Sequence, residues 1–448
     1  MRHTSLTTTL LAVLATASLT TTALAQTSDP VLDLLVKKGV LTKEEADNAR
    51  KESDKNFTKA FSAKTGMPDW VKSVKLNGDL RLRLESIQNW GASSPDRNRY
   101  RYRVRFGPTF AMADDWEVGI LLTSSDPDAT DVGTLGQGGD PISQNASFKD
   151  NGTKKFVFFD KVYTKWSGLR GADWQGTLTL GKMENPFHFP STMLFDKDYT
   201  PEGVAQDFLY RFSKDQSARL TLAGFSLEEV PTSSTDPVLL AAQLRWDAKW
   251  SPQWSTTLGF AALSIQGTKG LNTANVPNIG QGNTRSATGA LGVNFNDVYV
   301  DAGATWRQRE VAFYPGEFPI TVSADYLRNL SARLESTGFS AGIQLGKAAR
   351  KGQWELNYRW TELRGDAWYE EVAESDFGAF YSAAPVGGAA GYRSGTNVRG
   401  HWLKGTYALL DSLAFSVAYF YTSLINDPVP RTVDSTTGRL FVEAVWKF

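Results

Sequence analysis

The sequence predicts an all-β chain: a transmembrane antiparallel β-barrel of about sixteen strands (fourteen to eighteen) behind a short N-terminal periplasmic helical segment. Three observations predict it. Apolar and polar residues alternate with a period of two along segment after segment, a pattern that places one face of each strand toward lipid and the other toward water. The joins between these segments alternate between short and long, as the two ends of a membrane barrel require. Finally, aromatic residues make up 12% of the chain, with 14 Trp and 15 Tyr, although mean hydropathy is only −0.32. No segment beyond the N-terminus reaches the run of about 18 apolar residues that marks a membrane helix. Strands whose two faces average to neutral reconcile those facts, with the aromatics expected as girdles at the membrane interfaces.

Residues 1–25 read as a secretory signal. Met1-Arg2-His3 is a positive start, Leu10 to Leu19 is an apolar stretch too short to span a bilayer, and Ala23-Leu24-Ala25 supplies the small-x-small cleavage pattern. The mature chain is expected to begin at Gln26. Residues 26–72 form a helical leader and linker: Asp29-Pro30 opens a turn, Val31 to Lys38 is a short helix ended by Gly39, and Thr42-Lys43-Glu44-Glu45 is a capping box that starts a second helix. Apolar positions after Ala46 are too sparse for a coiled coil, so the leader is read as packing beneath the barrel rather than as a trimerising segment.

The barrel is expected over 73–448. In its first strand Leu80, Leu82 and Leu84 interleave with Arg81, Arg83 and Glu85; in the second, Tyr100, Tyr102, Val104 and Phe106 interleave with Arg99, Arg101, Arg103 and Arg105. Later segments repeat the pattern around Val118, Leu240, Val300, Leu356 and Val417. In the last, Leu440, Val442, Ala444, Trp446 and Phe448 alternate with Glu443 and Lys447. Short polar joins are read at Asp114-Asp115, Gly171-Ala172-Asp173, Lys214-Asp215, Ser251-Pro252, Asn296-Asp297, Arg350-Lys351-Gly352 and Asp411-Ser412. Long joins rich in Gly, Pro, Asn and Asp are read at 126–153, 183–202, 267–284, 310–330 and 364–397, with fainter strands at 156–166 and 285–295.

Composition narrows the function classes. Lys and Arg number 48 against 48 Asp and Glu, so bulk charge suggests no nucleic-acid partner. With no Cys there is no thiol lipid anchor, disulfide framework or thiolate metal site. Besides His3 the chain has only His188 and His401, neither near a nucleophile motif nor at ligand spacing, so no catalytic residues, metal or cofactor are assigned. Calcium on Asp126-Pro127-Asp128 or Asp196-Lys197-Asp198 stays open, since these offer hard oxygen ligands.

The segments Gly181-Lys182-Met183-Glu184-Asn185-Pro186-Phe187 and Phe195-Asp196-Lys197-Asp198-Tyr199-Thr200-Pro201-Glu202-Gly203-Val204-Ala205 carry a family signature. Glu374-Ser375-Asp376-Phe377-Gly378, Thr396-Asn397-Val398-Arg399-Gly400 and the leader Leu34 to Thr42 add to it. Together they resemble the putative porin family of Gram-negative outer-membrane β-barrel channels. Phosphate-selective porins are similar in leader and layout only. The closing strand, with Trp446 and terminal Phe448, resembles the signal read by the barrel-assembly machinery. The resemblance implies an outer-membrane location, lipid and small hydrophilic solutes and ions as partners, a homotrimer, and a channel rather than an enzyme.

The physical reading of the signature agrees. A loop that re-enters a pore needs turn residues (Pro186, Pro190, Pro201, Gly203), aromatics to pack on the wall (Phe187, Phe189, Phe195) and charges at its tip, here Glu184, Asp196, Asp198 and Glu202. Across from it, Arg81 and Arg83 share lumen parity with Arg101, Arg103 and Arg105, an arginine ladder that favours anions. Asp79, Glu85, Glu117, Asp207, Asp247, Asp301 and Glu355 share that wall, so the expected preference is weak. The function expected is passive diffusion through a water-filled channel. The alternatives are a selective uptake channel for phosphate or carboxylates, and a non-conducting barrel acting as adhesin or anchor.

Overall fold

The computed structural model describes residues 70–89, 96–126, 138–272, 274–277, 280–286, 288–378, 395–426 and 436–448, with 36, 38, 42, 45, 46, 48, 49, 67 and 68. The expected signal segment and most of the expected leader lie outside them. The chain divides into two units, Met1–Met67 and Pro68–Phe448. In the first, Thr42 and Glu45 form the reciprocal capping box: the Thr42 amide donates to Glu45 Oε2 at 2.8 Å, and the Glu45 amide donates to Thr42 Oγ1 at 3.2 Å. Glu45, Ala46, Asn48 and Ala49 are helical behind it.

The second unit is a closed antiparallel barrel of sixteen wall strands. They are β1 (Val71–Asn89), β2 (Arg97–Met112), β3 (Trp116–Ser124), β4 (Val157–Arg170), β5 (Trp174–Lys182), β6 (Glu202–Arg211), β7 (Gln216–Ser226) and β8 (Val238–Lys249), followed by β9 (Trp254–Gln266), β10 (Phe295–Gln308), β11 (Phe318–Asn329), β12 (Thr337–Gly346), β13 (Trp354–Leu363), β14 (Val398–Leu410), β15 (Leu413–Leu424) and β16 (Thr437–Lys447). A two-residue segment, Ala146–Ser147, pairs with β2 above the end of β3. Each strand pairs with its chain neighbour, and β16 pairs with β1 from Asp79↔Lys447 to Asn89↔Thr437. Closure leaves no edge, so backbone polar groups are satisfied within the wall.

Phe448 finishes the seam. Its amide donates to the Gly78 carbonyl at 3.1 Å, and the Gly78 amide donates to the Phe448 carbonyl at 3.0 Å. A Cβ at Gly78 would stand 2.3 Å from the Phe448 ring, so glycine is the residue that lets the ring lie there. Trp446, opposite Leu80 and Leu413, shares outward parity with Val442 and Ala444.

Two joins differ from the sequence reading, and they cancel in the strand count. The described residues of 285–294 make a single bridge, Arg285↔Leu291, and no wall strand, and Phe295 opens β10. Phe318–Asn329, read as loop, is β11, and Asn296-Asp297, read as a turn, lies inside β10, where Asp297 pairs with Leu263 and Asn329. Asn and Asp are turn formers by local hydrogen bonding, but here Asn296 is occupied sideways by Ser264 and Ser331. In β11 the alternation of Val322 and Tyr326 outward with Ser323, Asp325 and Leu327 inward was masked by neighbouring Pro315, Gly316 and Pro319.

Side chains sort by parity. On β1 and β2 the outward Leu82, Tyr100, Val104 and Phe106 are 40–47% exposed, whereas Arg83, Arg101, Arg103 and Glu85 are 0–8% exposed. Outward aromatics meet near the short joins, as in the Trp116/Trp166, Tyr210/Phe212 and Trp254/Trp306 pairs.

Candidate functional site: the charged interior of the barrel

The loop 183–201 leaves β5 and enters β6 through two glycines with positive φ, Gly181 (111°) and Gly203 (153°). A Cβ on either would collide with a carbonyl of the neighbouring strand, Val162 at 2.4 Å or Gly224 at 2.2 Å. Between them the loop turns into the barrel. Met183, Phe187, Met193, Leu194 and Phe195 are buried with Phe225 of β7, Leu239 of β8, Leu263 of β9, Tyr299 of β10 and Leu327 of β11. Segment 367–373 of the next infolded loop joins this core: Trp368 is fully buried, donates Nε1–H to the Leu194 carbonyl at 2.6 Å, and sets its ring 5.6 Å from Phe195. Glu370 is fixed in place because its carboxylate accepts from the amides of Gly280, Gln281 and Asn283 and from Arg285 Nε at 2.7 Å.

The four acidic residues expected at the loop tip take different places. Asp198 reaches the wall, 3.1 Å from Arg103 Nη1 and 3.7 Å from Arg81 Nη2. Glu184 is largely exposed and pairs with Lys161 of β4 at 3.1 Å. Glu202 is the first residue of β6, paired with Lys182 at 3.0 Å. Asp196 is buried as a brace between loops: its carboxylate accepts from the Ser375 hydroxyl at 2.6 Å, the Ser375 amide at 2.8 Å and the Asp198 amide at 2.8 Å. Burial, with the carboxylates of Glu374, Asp198 and Asp376 nearby, pushes Asp196 well above the usual carboxylate range. Asp376 goes the other way; burial opposes its charge, but Arg83 and Arg439 outweigh that and hold it low.

Arg81, Arg83, Arg101, Arg103 and Arg105 lie together on the inner faces of β1 and β2, with Arg81 opposite Arg103 and Arg83 opposite Arg101 in register. Like charges directly opposite one another are unfavourable unless acids interleave them. They do. Asp79 binds Arg103 at 2.9 Å and Arg105 through Oδ2 at 2.6 Å; Glu85, fully buried, binds Arg99 at 2.6 Å and Arg439 at 2.7 Å and lies 3.7 Å from Arg101. Glu443 of β16 binds Arg83 at 2.7 Å and gathers Arg81 at 3.7 Å and Lys404 at 3.8 Å. Asp376 from the 364–397 loop binds Arg83 at 3.3 Å and Arg439 at 3.2 Å.

The eight cations Arg81, Arg83, Arg99, Arg101, Arg103, Arg105, Lys404 and Arg439 thus share the five carboxylates Asp79, Glu85, Asp198, Asp376 and Glu443. The wall keeps a positive excess. Glu443, Asp376, Lys404 and Arg439 are members that the sequence reading did not assign to it. The inward parity of Glu443 was readable from its place between Val442 and Ala444, but its meeting with Arg83 depends on which strand closes on which. The remaining expected wall acids also point inward: Glu117 accepts from Tyr163 at 2.8 Å, Asp207 holds Arg219 at 2.7 Å, Asp247 holds Arg245 at 3.1 Å, Glu355 accepts from Gln344 at 3.1 Å, and Asp301 is buried beside the outward Val300.

Between the infolded loops and the wall lies a cavity of about 930 Å³. Arg81, Arg83, Arg105 and Lys404 line one side; Thr305, Thr321, Ser323, Gln344 and Asn357 line another. The described residues hold no group of three or more His, Asp or Glu placed to bind a metal. Asp126, one of the residues considered for calcium, instead accepts from the Ser147 amide and hydroxyl, while Asp128 lies outside the described residues.

Residues 87–295 match a family model described as putative porin, which bears out the resemblance carried by the 181–205 signature; the 374–400 segment lies beyond the matched range. No curated protein matches the chain. Among solved structures it is similar to OprB of Pseudomonas putida (10% identity, 84% of this chain and 94% of that chain covered, TM-score 0.49). It is also similar to OmpT of Vibrio cholerae (11%, 86% and 100%, 0.42) and to a mutant of the Rh. blastica porin (10%, 84% and 100%, 0.43).

Proposed function

We propose that this chain, matched over residues 87–295 to the putative porin family, forms a water-filled channel in the outer membrane through which small hydrophilic solutes and ions diffuse passively, with a weak preference for anions. The observation that carries the reading is the inner wall of β1, β2 and β16, where eight cations share five carboxylates beside an open cavity of about 930 Å³. A hydrated, closed barrel gives the path; the positive excess lowers the energy of an anion more than that of a cation at the narrowest level, where the 183–201 loop stands against the wall. Asp198 on the loop and Arg81 and Arg103 on the wall set the field there, with Glu184 at the loop's exposed side. Because most of the guanidiniums are neutralised by acids, the preference is modest rather than a selection for one anion.

Insertion by the barrel-assembly machinery, guided by Trp446 and Phe448, and assembly as a homotrimer belong to the same reading. Single-channel recording of the purified chain in planar bilayers tests it. A steady ohmic conductance in KCl, with a reversal potential in a salt gradient displaced modestly toward the chloride value, is expected; a silent bilayer at protein levels that show insertion would exclude a channel.

A further inference from the structure

Within the charged wall, the inner faces of β14, β15 and β16 carry an aromatic patch that passive diffusion of small ions does not call for. Trp402 lies 6.4 Å from Phe420 with the rings stacked, and Phe420 lies 5.3 Å from Phe441. Both Phe rings are covered, Phe441 by the guanidiniums of Arg83 at 4.0 Å and Arg439 at 4.9 Å. Trp402 is only half-buried and lines the cavity. The group over its ring is Lys197, at the exposed turn of the infolded loop, with Nζ 5.4 Å from the ring centroid. Lys197 makes no ion pair within 4 Å among the described residues; Glu374 acts on it only through its field. Lys404, two residues from Trp402 on the same face of β14, lines the cavity as well and shares Glu443 with two arginines.

Indole face and cations are thus spaced for one type of solute. Residues two apart on a strand face stand about 6.6 Å from each other, so a planar ring stacked on Trp402 would carry a carboxylate at its end to the level of Lys404. The ammonium of Lys197, held now over the indole by cation–π attraction, would move to the rim and meet that carboxylate. We propose that Trp402, Lys197 and Lys404 form a lumenal subsite for aromatic carboxylates, so that the channel takes up benzoate-like anions ahead of aliphatic ones. This rests on the channel reading above and adds a substrate class to it. Stacking supplies the discrimination, since a puckered ring of the same size and charge cannot lie flat on the indole.

The test uses the full chain in planar bilayers with KCl carrying the current and sodium benzoate or sodium cyclohexanecarboxylate added as the competing probe. In the wild type benzoate should halve the chloride current at about fivefold lower concentration than cyclohexanecarboxylate, the factor that corresponds to an aromatic pair. Trp402→Leu should bring the two half-blocking concentrations together. Lys197→Gln should raise both by a similar factor and leave their ratio, while Lys197→Arg restores the wild-type values. Equal half-blocking concentrations in the wild type, or an unchanged ratio in Trp402→Leu, overturn the subsite. If Trp402→Leu does not insert, Lys197→Gln decides: an unchanged response to benzoate overturns it. A wild type that conducts no KCl refutes the channel itself, a result distinct from a channel blind to aromatic rings.

Discussion

Two halves of the barrel interior are held together by different physics. On β7 to β11 the infolded loops rest on apolar side chains, among them Phe187, Leu194, Phe195, Phe225, Leu263, Tyr299 and Leu327. On β1, β2 and β16 ion pairs between arginines and acids fill many of the inward positions instead, with Phe441 of β16 packed among them. On the proposed channel reading, the contrast fixes where the path runs. A loop that buries its aromatics against one side must turn its charged residues to the other, so Asp198 meets Arg103 and lines the cavity beside that contact. On the proposed channel reading, apolar packing decides the position of the constriction, and charge decides what crosses it.

The largest effect is expected from breaking the packed half. Trp368→Ala removes a fully buried indole and its bond to Leu194, which costs about 3–5 kcal/mol at a core site. Because the wall ladder is untouched, the barrel should still insert and run as a heat-modifiable band, while open-channel conductance rises as the loop loses its seat. Unfolding midpoints in urea, measured alongside conductance, check both; unchanged conductance would mean that the loop is held some other way.

Breaking the charged half should cost somewhat less. Glu85→Gln leaves Arg99, Arg101 and Arg439 without their common carboxylate, and stripping one partner from a buried pair typically costs about 3 kcal/mol or more. The urea midpoint should fall, with a permeability ratio shifted toward anions; a midpoint within error of wild type would show that water replaces the acid freely.

A finer test separates two loop acids that are only two residues apart. Asp198→Asn should move the reversal potential toward anions, more strongly at low salt, where the screening length grows from about 10 Å at 0.1 M to about 30 Å at 0.01 M. Asp196→Asn should move it far less, because the buried Asp196 carboxyl is pushed toward its neutral form. Equal shifts in the two variants would contradict the brace.

The smallest effect is one of pH. A carboxyl whose folded value is raised takes up its proton earlier in the fold than in the unfolded chain, so stability is gained as pH falls through the folded value and is complete below about 3.9. Asp376, held low, stays charged over that window and loses its contribution only in stronger acid. Protease protection of the 183–201 loop should therefore increase as the pH is lowered toward about 3.9. The increase should vanish in Asp196→Asn, and its persistence there would assign it to another group.

What the sequence disclosed follows the same division. Period two is a property of each strand alone, so the inward parity of Arg81 to Arg105 could be read directly, as could the capping box at Thr42 and Glu45. Loops have no period. Asp196 and Asp198 look equivalent in the chain, yet one faces Ser375 and the other Arg103. Partners supplied by β16 and by the 364–397 loop were hidden for a related reason: pairing across the closure depends on the whole barrel. The exchanged assignments at 285–295 and 318–329 show local turn chemistry yielding to that context, with Asn296-Asp297 drawn into a strand that needed them.

The seam between β1 and β16 also carries a message about time. Arg83 and Glu443 are separated by 360 residues in sequence, and Glu85 and Arg439 by 354. During synthesis the arginines of the first two strands exist long before Asp376 and Glu443, the acids that bind Arg83, and Glu85 waits as long for Arg439. An incompletely closed barrel would therefore present unmatched charge to its own interior, and contacts of such separation form late. The same ion pairs that shape the lumen mark completion: they report, in electrostatic terms, that the first strand has met the last.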